Sequence, residues 1–222
     1  MTLGAHVIET TRAQAFSDAA RSLAGLSWSN PGTRDEYSRR LAPHDPLERA
    51  EQMASAQSSC ALTCCAALFE CGVDGLVRSW RGKLACDPLR EPRWKQYDGL
   101  MFLEQLARQR SAHRPVGTDR PDIFAGSWVL IGGGAAQGGA AHIVCVVDVE
   151  HDGTLVTVEG GKFDPGNPRS GAEACTRIAA DRRELYQQAD GSWWMRDAGT
   201  TRPGRRCIYW CWAGDLPLVG GA

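Results

Sequence analysis

Four cysteines fall in one short apolar stretch, Cys60-Ala61-Leu62-Thr63-Cys64-Cys65-Ala66-Ala67-Leu68-Phe69-Glu70-Cys71. Thiols grouped this way could bind a metal, pair as disulfides, fill a core, or supply one nucleophile among packing neighbours. Ser58 or Ser59 is a good N-cap and Gly72 sits where a C′ glycine belongs, so the stretch reads as a helix. Cys60 is then its first residue. There the unpaired N–H groups and the positive end of the dipole favour a thiolate, and the same groups could hold a developing oxyanion. Cys64 and Cys65 lie one turn inside and Cys71 at the negative end, so these three read as packing. Zinc fits poorly: Cys60, Cys64 and Cys71 share a face but lack a short knuckle, and Cys207 and Cys211 are too widely spaced for one. Disulfides within the cluster are sterically poor, because Cys64 and Cys65 are adjacent and Cys60 is on the same rigid helix. No metal or cofactor is expected.

A cysteine nucleophile wants a histidine, and the histidine wants a partner to hold its ring. Of the five histidines, His6 and His44 lie in early or proline-rich segments, His113 follows a helix end and His151 sits in the turn "EHDG". His142 alone opens a strong β-run, "HIVCVVDV". The next run, "TLVTVEGG", carries Glu159. With a hairpin loop over Asp148 to Gly153, Val147 pairs with Thr154 and His142 lies directly opposite Glu159 on one face, so that the carboxylate can take the imidazole Nδ1–H. A tighter turn at Asp152-Gly153 would set Glu159 against Val146, an even shift that keeps the face.

The elements that must position these residues follow from pattern and punctuation. Thr10 to Leu26 reads as a helix, capped by Thr10 or Thr11, with Phe16, Ala20 and Leu23 as its stripe. "SWSNPGTRDEYSRRLAPHDP" reads as a loop broken by Pro31, Gly32, Pro43 and Pro46. Further helices are expected from Pro46 through "LERAEQMA", over the cysteine stretch, and from Tyr97 to Arg110 with Leu100, Leu103 and Leu106/Ala107 inward. After Pro115 come "SWVLIGGG", "HIVCVVDV", "TLVTVEGG", "SWWMRD" and "RRCIYWCWAG", all strand-like. Helices first and mostly antiparallel strands later indicate an α+β architecture. The chain reads as one domain over 1–222, a helical N-terminal extension at 1–45 preceding a catalytic core at 46–222.

The chain has 222 residues, 43% hydrophobic and 23% charged, with a formal charge of −1. Those values suit one globular core and advertise no nucleic-acid partner. No apolar run approaches membrane length. "MTLGAHVIETTRAQAF" lacks a basic start followed by a long apolar run, so no Sec-type signal peptide is expected. Nine cysteines cannot all pair within one chain, and without a signal peptide reduced thiols are the default. "VLIGGGAAQGGAAH" is no dinucleotide fingerprint: Gln137 stands at the third glycine position, and a strand follows in place of a helix.

Taken together these motifs resemble the papain-like bacterial cysteine amidases and peptidases of the NlpC/P60 and CHAP type, over roughly Ser55 to Gly161. "SSCALTCCAALFECGV" looks like their nucleophile helix, "AGSWVLIGGG" like the strand before their histidine, and "AHIVCVVDVEHDGTLVTVEGG" like the hairpin ending in their third catalytic residue. The resemblance implies a papain-like fold, N-terminal helices packed on a mostly antiparallel sheet, with Cys60 as nucleophile, His142 as general base and acid, and Glu159 as orienter. The pattern departs at Ser59, where Asp or Gln is usual, at Gly126-Ser127 in place of Gly-Asp, and at Ala54, where papain-type enzymes carry an oxyanion glutamine. Gln57 is the substitute oxyanion or substrate-binding donor, beside Ser59. The implied reaction is acyl transfer to water at peptidoglycan peptide or amide bonds. Made in the cytoplasm, such an enzyme would reach wall through lysis, a phage-like device or a specialised secretion system, and delivered amidases travel with an immunity partner. Two other readings stand beside this one: a toxin-type protease or deamidase acting on proteins, and a non-catalytic binding module whose eight tryptophans supply contact surface.

Overall fold

The computed structural model describes residues 3–41, 60–71, 103–104, 106–108, 111–132, 141–168 and 175–216, with side chains from residue 10 onward. Helix α1 (Leu3–Leu23), α2 (Arg34–Leu41) and α3 (Cys60–Glu70) precede strands β1 (Arg114–Pro115), β2 (Ser127–Gly132), β3 (His142–Val149), β4 (Leu155–Lys162), β5 (Arg177–Gln187), β6 (Trp193–Asp197) and β7 (Arg205–Trp212), and a 3₁₀ turn closes at Ala213–Asp215. Residues 103–104 and 106–108 are helical, with Leu103, Leu106 and Ala107 buried. The expected helix after Pro46, the Ser58/Ser59 cap and Gly72 lie outside the described residues.

The strands run β7-β2-β3-β4-β5-β6, every pair antiparallel, and β6 returns to pair with β7 through Trp194↔Arg206 and Met195↔Arg205. The body of the protein is therefore a closed six-stranded antiparallel barrel, with β1 riding on β7. This corrects the expected papain-like α+β fold of helices packed on a sheet. The reason lies in β5, "RIAADRRELYQ", whose run of Asp181, Arg182, Arg183 and Glu184 hides its strand character. Its charges are paired across strands, Glu184 with Arg196 directly opposite and Arg182 with Glu150. With β5 in place the sheet is long enough to curl and remove its edges.

Alternation along each strand splits the core into two sets. Val129, Ile131, Val144, Val146, Leu155, Met195, Cys207 and Trp210 pack together inside the barrel. Trp128, Leu130, Ile143, Cys145, Val147, Val158, Tyr209 and Cys211 face outward and pack against the helices. β2 is consequently buried at every residue, which is why "SWVLIG" shows no polar alternation. α1 supplies Phe16, Ala20 and Leu23, all fully buried, to the outer core. That helix begins before Thr10 and Thr11, which are interior residues and not caps. Its Ala13 presses on the entry to β2: Gly126 has φ +84, and a Cβ there would lie 2.6 Å from that of Ala13.

α2 corrects the reading of 27–46 as a loop throughout. Gly32 N–H bonds Asn30 Oδ1 at 3.0 Å, and Thr33 and Arg34 N–H bond Asn30 O, so Asn30-Pro31-Gly32 starts a helix where the sequence reading placed a break. Asp35 and Glu36 sit in its first turn and Arg39 and Arg40 in its last, matching the dipole. Tyr37 and Leu41 are buried one turn apart, and Arg40 pairs with Glu70 of α3. Among the described residues no helix is long and apolar enough to cross a membrane.

Candidate active site

Cys60 is the first residue of α3, the helix that packs on α1, β3 and β4. Every residue from Cys60 to Leu68 is buried, because the helix is wedged between α1 and the outer face of the barrel. The thiols inside it are packing groups. Cys64 meets Cys145 of β3, and burial first, then that contact, holds its pKa well above the usual thiol value. Burial likewise raises Cys65 and Cys211. Cys71 donates to Leu68 O at 3.2 Å. All eight described cysteines are thiols outside any disulfide. Among the described residues no three His, Cys, Asp or Glu side chains are grouped to hold a metal ion.

His142 opens β3 opposite Ile131 of β2. Its ring lies near enough to Cys60 for the thiol to act on its titration, and it donates from Nε2 to Glu159 Oε2, 3.0 Å away. His142 and Glu159 therefore meet, with two corrections. The hairpin loop is shorter than Asp148 to Gly153: Val149 pairs with Leu155, Glu150 N–H bonds Thr154 O, and a bulge at Val147 precedes Val146↔Thr157 and Cys145↔Val158. Continued one step, that register sets Glu159 against Val144, so Glu159 is diagonal to His142. The displacement is even, so both keep the barrel-interior face, and a diagonal pair of long side chains still meets. Secondly, the carboxylate takes Nε2 and not Nδ1.

Glu159 is fully buried and held from every side. Arg183 of β5 grips it bidentately, Nε to Oε1 at 2.6 Å and Nη2 to Oε2 at 2.7 Å. Thr157 donates to Oε1 at 2.7 Å, and Lys162 Nζ lies 2.8 Å from Oε2. Lys162 also pairs with Asp181, and Arg183 with Asp197. Burial would raise the Glu159 pKa; the bonds from His142 and Arg183 and the Lys162 charge overcome it and hold the carboxyl well below its ordinary value. For His142, burial disfavours the imidazolium, but the bonds and charges of Cys60 and Glu159 outweigh it and the pKa is raised. A ring whose imidazolium form is favoured by a neighbouring cysteine and a buried carboxylate suits nucleophilic thiol chemistry.

Arg183, Lys162 and Thr157 were not singled out from the sequence. Thr157 shares the Glu159 face by simple alternation. Lys162 should not, because a spacing of three puts residues on opposite faces of a strand. A bulge between Glu159 and Lys162, with Gly161 at φ +75, inserts the extra residue that turns the lysine back. "EGG" was the sequence signal for it. Just beyond, Asp164 is buried and accepts from Ser27 Oγ at 2.7 Å, Ser29 Oγ and N–H, and Thr176 Oγ1 at 3.1 Å. This knot ties the end of β4 to the segment after α1 and to the start of β5, where Ser27 also bridges Arg177.

Of the remaining histidines, His113 stacks on Tyr209 with ring centroids 4.5 Å apart, and His151 lies in the exposed β3–β4 turn. His44, Gln57 and Ser59 lie outside the described residues, as does the side chain of His6. Cys60 is buried, at 7% exposure, and the His142 side chain is 13% exposed.

No family model, curated protein or solved structure matches the chain. The likeness to the NlpC/P60 and CHAP enzymes rests on the quoted motifs alone.

Proposed function

We propose that this protein is a cysteine-dependent amide hydrolase that works through Cys60, His142 and Glu159. The observation that carries the reading is one imidazole set near Cys60, the residue that opens α3, and bonded at 3.0 Å to a buried carboxylate. Cys60 thiolate attacks the amide carbonyl, and the tetrahedral oxyanion is held by N–H groups of the first turn of α3. His142, protonated at rest, gives its proton to the leaving amine as the C–N bond breaks, leaving a thioester. The neutral ring then takes a proton from water as the hydroxyl adds to the thioester, and the thiolate departs to restore the ion pair. Glu159 holds the ring through Nε2. The motif resemblance directs the substrate reading to peptidoglycan peptide or amide bonds, with amides in proteins as the second class.

The test is digestion of purified peptidoglycan by the wild type and by Cys60→Ala, with soluble muropeptides read by mass spectrometry. New amine and carboxyl termini from the wild type alone support the reading. If neither protein releases a muropeptide, the same pair is run on a protein mixture with termini mapped. Inactivity on both, together with iodoacetamide alkylation of Cys60 no faster than of Cys71, overturns the hydrolase in favour of a binding module.

A further inference from the structure

We infer that Lys162 is a positioning residue for the proposed site: seated on the Glu159 oxygen that faces His142, it joins Arg183 in offsetting part of the carboxylate's charge, so that Glu159 orients the ring with a weaker pull on its proton. The inference rests on the hydrolase reading for its purpose, but its physical content is a property of the buried cluster alone.

Oε2 of Glu159 receives three donors: His142 Nε2 at 3.0 Å, Lys162 Nζ at 2.8 Å and Arg183 Nη2 at 2.7 Å. Oε1 receives two, Arg183 Nε and Thr157 Oγ1. One carboxylate thus meets two permanent cations before the imidazole is counted, and the side chains are 0%, 22% and 12% exposed for Glu159, Lys162 and Arg183. Screening by water is weak at such a site. Among the described residues, the titratable and charged groups around His142 are Cys60 from α3 with Cys175 beside it, Glu159 and Lys162 from β4, Arg183 and Asp181 from β5, and Asp197 from β6. Asp181 and Asp197 touch the cations on their far sides and keep both side chains aimed at Glu159.

Geometry separates Lys162 from Arg183. Arg183 fixes the plane of the carboxylate through two parallel bonds. Lys162 makes one bond, to the very oxygen that His142 uses, and reaches it only because the bulge at Gly160-Gly161 rotates it onto that face. A lysine that merely capped the strand would need no such device. A bare buried glutamate would pull strongly on the imidazolium and leave the ring a poor proton donor to the leaving amine. Compensated by Lys162, Glu159 orients the ring while leaving its proton free to move.

The test is titration of the His142 ring by NMR, run beside the pH profile of Cys60 alkylation, in the wild type and five variants. Lys162→Met and Lys162→Gln should each raise the His142 pKa by about one unit or more, the usual effect of removing a like charge at this range. Lys162→Arg should restore the wild-type value. Glu159→Gln should lower it, and the Glu159→Gln/Lys162→Met pair should return close to wild type, because both charges leave together. Lys162→Gln keeps a donor toward Glu159 and Asp181, so it serves should Lys162→Met not fold. An unmoved His142 pKa in a folded Lys162→Gln protein, or a double variant no closer to wild type than Glu159→Gln, overturns the inference. These readouts need no substrate, so a failed digestion with the expected titrations would reject the hydrolase and leave the tuning intact.

Discussion

Arg183→Met is the substitution whose effect follows most directly from the structure. It removes both donors of a bidentate bond to a carboxylate that is fully buried, and leaves a side chain of similar length to fill the space. Removing one partner of a buried pair costs about 3–5 kcal/mol, because the other charge stays buried. Thr157, Lys162 and His142 remain on Glu159, which places the expected loss near the lower end, about 3 kcal/mol. For a chain of this size each kcal/mol moves the melting temperature by roughly 2–4 °C, so Tm should fall by about 6–12 °C. Urea unfolding at neutral pH, followed by tryptophan fluorescence, measures the loss as a shift in midpoint at unchanged slope. Arg183→Lys should recover less than half of it, since an ammonium cannot span two carboxylate oxygens. A loss under about 0.5 kcal/mol, the value of an exposed pair, would mean that water reaches Glu159 and that the buried cluster is wrongly described.

Three further outcomes are expected. Gly126→Ala should be severely destabilising, more than about 3 kcal/mol by thermal melting, since the new Cβ meets Ala13 at 2.6 Å and φ is +84. Iodoacetamide at about pH 6 should modify Cys60 far faster than Cys64, Cys65 or Cys207, whose thiols burial holds high (Cys207 at about 12), as peptide mapping would reveal. Stability should peak between the ordinary carboxyl and imidazole values of 4.5 and 6.5 as far as this site governs it. The lowered Glu159 contributes above 4.5 and loses its contribution as pH falls toward its folded value. The raised His142 contributes fully below 6.5 and fades as pH rises through its folded value. A Tm series in Glu159→Gln should lack the acid-side slope and one in His142→Ala the alkaline-side slope; unchanged slopes in both would remove this site as their source.

The strands over 127–132, 142–149, 155–162, 193–197 and 205–212 coincide with runs that were legible from apolar and β-branched residues bounded by glycine and charged turns. Barrel closure was not. It depends on β5, whose inward Asp181 and Arg183 replace the apolar half of an alternating pattern with charges that are satisfied only across strands. The same fact concealed Arg183 as a ligand of Glu159, because a run such as "DRRE" reads as a solvated face until its partners are known. The meeting of His142 with Glu159 was legible despite the misjudged loop, since an even slip cannot move a side chain across a strand. Which ring nitrogen faces the carboxylate was not, for it depends on the ring's rotation about bonds that spacing does not constrain. α2 was missed because Pro31 and Gly32, read as breakers, belong to the turn that starts it.

Asp164 gives the amino-terminal portion of the chain a share in whatever the rim does. Its carboxylate is the mooring point for Ser27, Ser29 and Thr176 alike, and it follows Lys162 by only two positions. A truncation that discards α1 together with its trailing serines would therefore cut a guy-line rather than trim a tail: Asp164 would keep Thr176 alone, and the slack would run straight into the lysine that steadies Glu159.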